Sequence, residues 1–377
     1  MKMLDILNQE LSKNGLKNKF MNKEILIKII NYGIQAPSGD NSQPWKFVIT
    51  KNYDINLFNL PDKDNPILNV HQGGSLISHG AVITNITIAA CKLGYKTNVL
   101  YFPDNNNSDL IAKISFLENL DKYEECDSYL IDSIYERRTN RRHYNKYLSD
   151  DLVNKIFKNL KDKDIEIKIF KENREKEIIA QAISISEEVI LKTKELHELL
   201  FKDVMWTKKQ ELSEKHGLYI NTLEFNPVQK LVFWICRKWN NIYFLNKTFN
   251  FAHFVGSQNS DIYKSSGLLG FIILPNSDLI NYIKAGELFQ LIWLRSTHFS
   301  LSFQPVTGLF FLNEKIKIFG NEPISSENSI LIKNKYNELC NLIKINNDQI
   351  ILTSFRIGKS KKSSALSSRL DPNIILE

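Results

Sequence analysis

Apolar positions Ile25, Leu26, Ile29, Ile30 and Ile34 recur at helical spacing and predict an amphipathic helix over 22–36. Pro37 stops it, and Pro-Ser-Gly-Asp-Asn predicts a turn. Two short runs, Trp45 to Thr50 and Ile55 to Leu60, read as a strand pair. A helix of small and aliphatic residues follows over 74–93, ending near Gly94, with strands at 97–102 and 111–117. A short helix at 127–136 leads into Arg137-Arg138-Thr139-Asn140-Arg141-Arg142. Ser149 is placed to cap the next helix, with Asp150 and Asp151 in its first turn. The pattern then predicts a strand at 165–170, helix through most of 174–203, a buried strand at 268–274, a helix at 277–298 and a last strand at 350–357. Between 204 and 262 the chain holds Trp206, Trp234 and Trp239 and a dense aromatic run, with Pro227 opening a helix. Val228, Leu231, Val232, Ile235, Trp239 and Ile242 share one face there. That segment reads first as a helical excursion packed on the core, with a lid or a membrane-facing surface as the alternatives.

Composition narrows the class. With 377 residues, two domains or a duplicated domain is the expectation, and 43% hydrophobic with 24% charged residues is ordinary for a globular chain. A faint internal echo supports duplication: Gly80-Ala-Val-Ile and Gly286-Glu-Leu-Phe both open onto helices that lead towards strands. The charge of +7 is a mild excess without a long basic arm, so no nucleic acid is expected as partner. Cys91, Cys126, Cys236 and Cys340 are scattered without a CxxC pair; neither a metal nor a disulfide is expected, and a reducing cytoplasm fits. The first residues show no signal-peptide run, and no stretch reaches the length of a membrane span.

The chemistry concentrates in a few places. Ala36-Pro37-Ser38-Gly39-Asp40-Asn41-Ser42-Gln43-Pro44-Trp45 presents a hydroxyl, an amide and free backbone groups, which suits a ligand edge of alternating donors and acceptors. Four arginines in the six residues 137–142 repel one another unless an anion sits among them. The turn resembles the APSxxNxQPW motif of the FMN-dependent nitroreductase family, and the arginines resemble its RRSxR element. Ser367-Ser368-Arg369-Leu370-Asp371-Pro372-Asn373-Ile374 is similar to the family's closing segment, with Ser367 where a lysine is usual. Pro305-Val306-Thr307-Gly308 is a looser likeness to the loop beside flavin N5, with Thr307 in place of glutamate. Arg356, in the stretch resembling the final strand, is a weaker candidate.

The order, turn before arginines, resembles the tandem Acg-type branch. That resemblance implies an α+β fold: a three-layer α/β/α arrangement with mixed, mainly antiparallel sheets, duplicated as a pseudo-dimer. The halves are expected at 1–125 and 126–377, the second carrying the 204–262 insert as a lid candidate. It further implies FMN bound by Pro37, Ser38, Asn41, Arg137, Arg138, Thr139, Arg141, Pro305, Thr307, Gly308, Arg356 and Arg369. NAD(P)H would be the co-substrate and a small-molecule electron acceptor the partner, in a monomeric pseudo-dimer or a homodimer. No side chain stands out as an obligatory acid or base, His79 and His143 included. The competing reading is a protein that sequesters FMN under a lid without turning over.

Overall fold

The computed structural model describes residues 21–118, 127–160, 162, 164–346 and 348–377. The expected boundary at 125/126 and the first residues, in which no signal-peptide run was expected, lie outside them. Helix α1 (Lys23–Gly33) starts where the Asn22 side chain accepts from the Ile25 amide. Strands β1 (Trp45–Ile49) and β2 (Ile55–Asn59), helix α2 (Gly73–Lys92), and strands β3 (Tyr95–Tyr101) and β4 (Leu110–Glu118) complete the first part. Then come α3 (Ile131–Glu136), α4 (Asp150–Phe157), β5 (Glu166–Phe170), α5 (Asn173–Ile183), α6 (Ile185–Lys192) and α7 (Lys194–Lys202). The insert contributes β6 (Val204–Met205), α8 (Lys208–Glu214), β7 (Leu218–Tyr219), α9 (Pro227–Cys236), α10 (Trp239–Phe249) and α11 (Phe251–Lys264). The chain closes with β8 (Leu268–Leu274), α12 (Leu279–His298), β9 (Ser302–Val306), α13 (Gly308–Phe319), α14 (Ser326–Ile343), β10 (Ile350–Gly358) and β11 (Ile374–Leu376).

The fold is α+β with mixed, mainly antiparallel sheets. One sheet runs β11-β1-β2-β4-β3, antiparallel except where β11 joins β1 in parallel; the other runs β5-β8-β10-β9 and is antiparallel throughout. The two sheets repeat one plan. The order β1-β2-β4-β3 matches β5-β8-β10-β9, with a long helix, α2 or α12, between the second and third strands in chain order. Both long helices have 20 residues. They cross where each lacks a side chain: a Cβ on Gly80 would stand 2.0 Å from the Ile283 carbonyl oxygen, and one on Gly286 would stand 2.2 Å from that of Ile77. One apolar core surrounds this crossing, drawing on both sheets through Phe47, Leu57, Ile272 and Phe355. A second lies on the far face of β8, under α5, α13 and α14.

Three expectations meet corrections. Cys91 is in a disulfide bond, so the cysteine argument for a reducing compartment no longer holds. The shared face expected from Val228 to Ile242 is split, because Lys238 is extended (ψ 126°) and separates α9 from α10. Ile242 is buried, whereas Val228, Leu231 and Ile235 are exposed. Ser149 stands at the N-cap of α4, yet its hydroxyl makes no capping bond. The stretch Val70–Lys92 is long and apolar enough to cross a membrane, but 83% of its apolar window is buried inside the protein.

Candidate functional site

The turn after α1 holds three residues in left-handed backbone. Asp40, Asn41 and Gln43 have φ of 44°, 58° and 53°, a left-handed region that costs roughly 1 kcal/mol or more for side-chain-bearing residues. Side chains hold it there. Gln43 is 3% exposed; its backbone amide donates to Ser38 Oγ at 2.9 Å and its Nε2 donates to the Lys215 carbonyl at 2.8 Å. Its Oε1 accepts from the Leu370 amide at 2.9 Å. Asn41 gives Nδ2 to the carbonyls of Ser368 and Lys215, at 3.1 and 3.3 Å, and takes Arg369 on Oδ1 at 2.8 Å. The turn is thus clamped between the C-terminal tail and the loop after α8.

Opposite it lies the arginine element. Asn140, 3% exposed, fixes it by donating from its backbone amide to the Phe303 carbonyl at 2.9 Å and from Nδ2 to Ser302 Oγ at 2.9 Å. Arg356 lies beneath, fully buried and spent on protein acceptors: Gln304 Oε1 at 2.7 Å and the carbonyls of Ile262, Asn140 and Arg142 at 3.0, 3.3 and 2.7 Å. Its guanidinium stacks 3.8 Å from the centre of the Tyr144 ring.

Turn, arginines and tail enclose a cleft of about 580 Å³ including its open mouth. Of the residues read from the motifs, Pro37, Ser38, Asn41, Arg137, Arg138, Thr139, Arg141 and Arg369 line it together. Arg356 supports the cleft from behind. Pro305, Thr307 and Gly308 are not among its lining; Pro305 pairs with Phe355, and Gly308 packs against Ser186 at the start of α6. Between the arginines and that loop stand Tyr263, whose charge coupling reaches Arg141, and Glu187, which accepts the Tyr263 hydroxyl proton. Burial pushes the Glu187 carboxyl up.

The roof comes from the 204–262 insert that the sequence offered as a lid candidate, but its individual residues were not legible there. Gly217, Leu218 and Thr222 line the cleft, and Arg141 donates to the Thr222 carbonyl at 2.9 Å. Glu211 of α8 takes the Ser368 amide at 2.5 Å. These are contacts between segments 81 and 157 residues apart, and no local pattern encodes them.

The cleft is mainly cationic; Asp40 also lines it, its carboxyl pushed up by burial and drawn back by Arg141. Among the described residues no carboxylate forms an ion pair with Arg137, Arg138, Arg141 or Arg369; the arginine pairs are Arg142 with Glu224 and Arg295 with Asp127. Arg137 and Arg369 both donate to the Gln35 carbonyl, at 2.9 and 3.4 Å, and both keep a buried Nε without an acceptor. Burial holds the Arg137 guanidinium well below the ordinary arginine range, and the neighbouring charge of Arg369 adds to this. Burial draws Arg369 down to about 10, against the pull of Glu211. Arg141 is lowered by burial too, opposed by Tyr263 and Asp40. Buried cations without counter-ions are costly, and a dianion with forked acceptors is the ligand that would relieve them.

No family model matches the chain. Curated relatives do. A putative NAD(P)H nitroreductase, acg, of Mycobacterium tuberculosis is 28% identical over 210 residues, covering 54% of this chain and 61% of the relative. Another putative NAD(P)H nitroreductase of the same organism is 25% identical over 130 residues, covering 34% of this chain and 37% of its own length. The chain therefore spans less than two thirds of the curated relatives it matches. Among solved structures, the FMN-dependent nitroreductase NfnB of Mycobacterium smegmatis, in complex with NADPH, aligns at 8% identity over 62% of this chain and 89% of its own, with a TM-score of 0.35.

Proposed function

We propose that this nitroreductase-like chain binds FMN in the cleft and works as an oxidoreductase, taking reducing equivalents from NAD(P)H to a small-molecule acceptor. One observation carries the reading. Four guanidiniums converge with no carboxylate in ion-pair contact, two of them with a buried unpaired Nε, facing a strained polar turn of the kind a flavin edge needs. Arg137, Arg141 and Arg369 would hold the phosphate, with Arg138 and Thr139 beside them. Pro37, Ser38 and Asn41 would meet the pyrimidine edge; the Ser38 hydroxyl still has its proton to give, since its recorded bond is as an acceptor. The roof from Gly217 to Thr222 would exclude water from the bound ligand. The chemistry that FMN supplies when bound is hydride transfer. Eight motif residues are among those lining the cleft, whereas Pro305, Thr307, Gly308 and Arg356 are not.

The same reading takes the chain as two fused halves sharing one site. Its supports are the repeated strand order and the paired glycines at the α2–α12 crossing. The first half supplies the turn, the second the arginines and the tail, whose β11 returns to pair with β1. The test is anaerobic mixing of protein and FMN with NADH or NADPH, followed at the flavin absorbance band. Bleaching is the expected result. A yellow protein that stays oxidised would refute turnover and leave sequestration, and a protein that ignores FMN would refute both.

A further inference from the structure

We infer that the outer face of the α9–α10 hairpin docks on an anionic membrane surface. On α9 the outward stripe is Val228, Leu231, Trp234 and Ile235, exposed by 70, 58, 48 and 40%. On α10 it includes Tyr243 and Phe244, at 55 and 60%, and Phe249 and Phe254 at the α10–α11 corner reach 67 and 57%. These residues are not exposed for want of a core. The opposite faces of the same helices, through Phe233, Cys236, Ile242 and Leu245, pack on Leu200, Phe201 and Trp206. Two helices, α9 with a capping box at Asn226 and Gln229, are therefore held against the core with a row of large apolar side chains turned to solvent, more than scattered surface residues require.

Charge identifies the occupant. From Phe225 to Ser260, between Glu224 and Asp261, there is no acidic residue, while Lys230, Arg237, Lys238 and Lys247 are basic. Lys238 and Lys247 are exposed, and the Arg237 guanidinium sits 3.7 Å from the Trp234 ring centre. A second copy across a two-fold axis would bring these like charges together, which opposes a dimer through this face. Exposed Trp, Tyr and Phe among Lys and Arg are what a headgroup layer of anionic lipid accepts on both counts. The 10 residues of α9 reach only about 15 Å, half a hydrocarbon layer, so the hairpin lies on the surface and does not span it.

The test is flotation of the full chain with vesicles of phosphatidylcholine alone or with about one part in four phosphatidylglycerol. Binding is expected to the anionic vesicles and to fall as salt rises. Lys238→Gln with Lys247→Gln should weaken it about fivefold per charge, roughly 25-fold in all. Trp234→Ser with Phe244→Ser should abolish it while circular dichroism stays unchanged. Equal binding to both vesicle types, no flotation, or an oligomer in sedimentation that the aromatic substitutions dissolve without any vesicle binding would each overturn the inference.

Discussion

The Gln35 carbonyl accepts from two guanidiniums at once, and that shared acceptor separates cations placed for a ligand from one placed for the fold. Arg137 also stands 4.3 Å from the Trp293 ring centre, a contact that repays only part of its desolvation. Arg137→Met should therefore stabilise the ligand-free protein by about 1–3 kcal/mol in urea unfolding. The same change should weaken FMN binding roughly 10- to 100-fold in a fluorescence titration. Loss of both stability and binding would mean that Arg137 is structural. Arg356→Met should do the reverse of Arg137 and destabilise, because the carbonyls of Ile262, Asn140 and Arg142 would lose a buried donor. From the sequence Arg356 was the weaker of the two candidates, but nothing there separated their roles. Each lies beside a ligand-type motif, and only the direction of its side chain, set by strand β10 or by the end of α3, tells a carbonyl clamp from an anion holder.

At the level of elements, the α2–α12 crossing has the least room for change. Gly286→Ala would drive a methyl into the Ile77 backbone, which cannot swing aside as a side chain does, so the cost should exceed about 3 kcal/mol. Gly94→Ala is the control: its Cβ meets open space, and only the φ of +90° opposes it, by about 1 kcal/mol. Chemical denaturation of the two variants checks the ordering, and equal effects would refute the packing argument. The glycine pair was visible beforehand as a weak echo of Gly80 in Gly286. An unbroken apolar run likewise located 268–274 as β8 to the residue, and the stretch of small and aliphatic residues placed α2 within one residue. The failures have physical causes. Strand β9 escaped notice because Pro305 cannot donate to a ladder, which is tolerated here since β9 is an edge strand. The three residues of β11 have no signal of their own and form only because β1 offers an open edge. The stretch 174–203 is mostly helical as expected, but the breaks at Ser184 and Thr193 that divide it into three helices have no signal in the apolar pattern.

For the whole molecule the question is whether a repeated plan means two sites or one. Each half places a helix and a turn before its first strand: α1 and residues 34–44 before β1, α4 and residues 158–165 before β5. The first turn has Ser38, Asn41 and Gln43; the second reads Lys158-Asn159-Leu160-Lys161-Asp162-Lys163-Asp164-Ile165, without serine, glutamine or proline. The first 30 residues contain no arginine to face that second turn as Arg137 and Arg141 face the first. The C-terminal tail, moreover, supplies Arg369 to one side only, crossing to the first sheet to do so. A flavin needs the phosphate clamp and the polar turn together, and the cleft between the 36–43 turn and the arginines has both. Titration with FMN should therefore saturate at one per chain, read by flavin absorbance after release and by native mass. Saturation at two would show that the mirror position binds without arginines or the serine-asparagine turn, and the account of the halves as complementary remnants would fail.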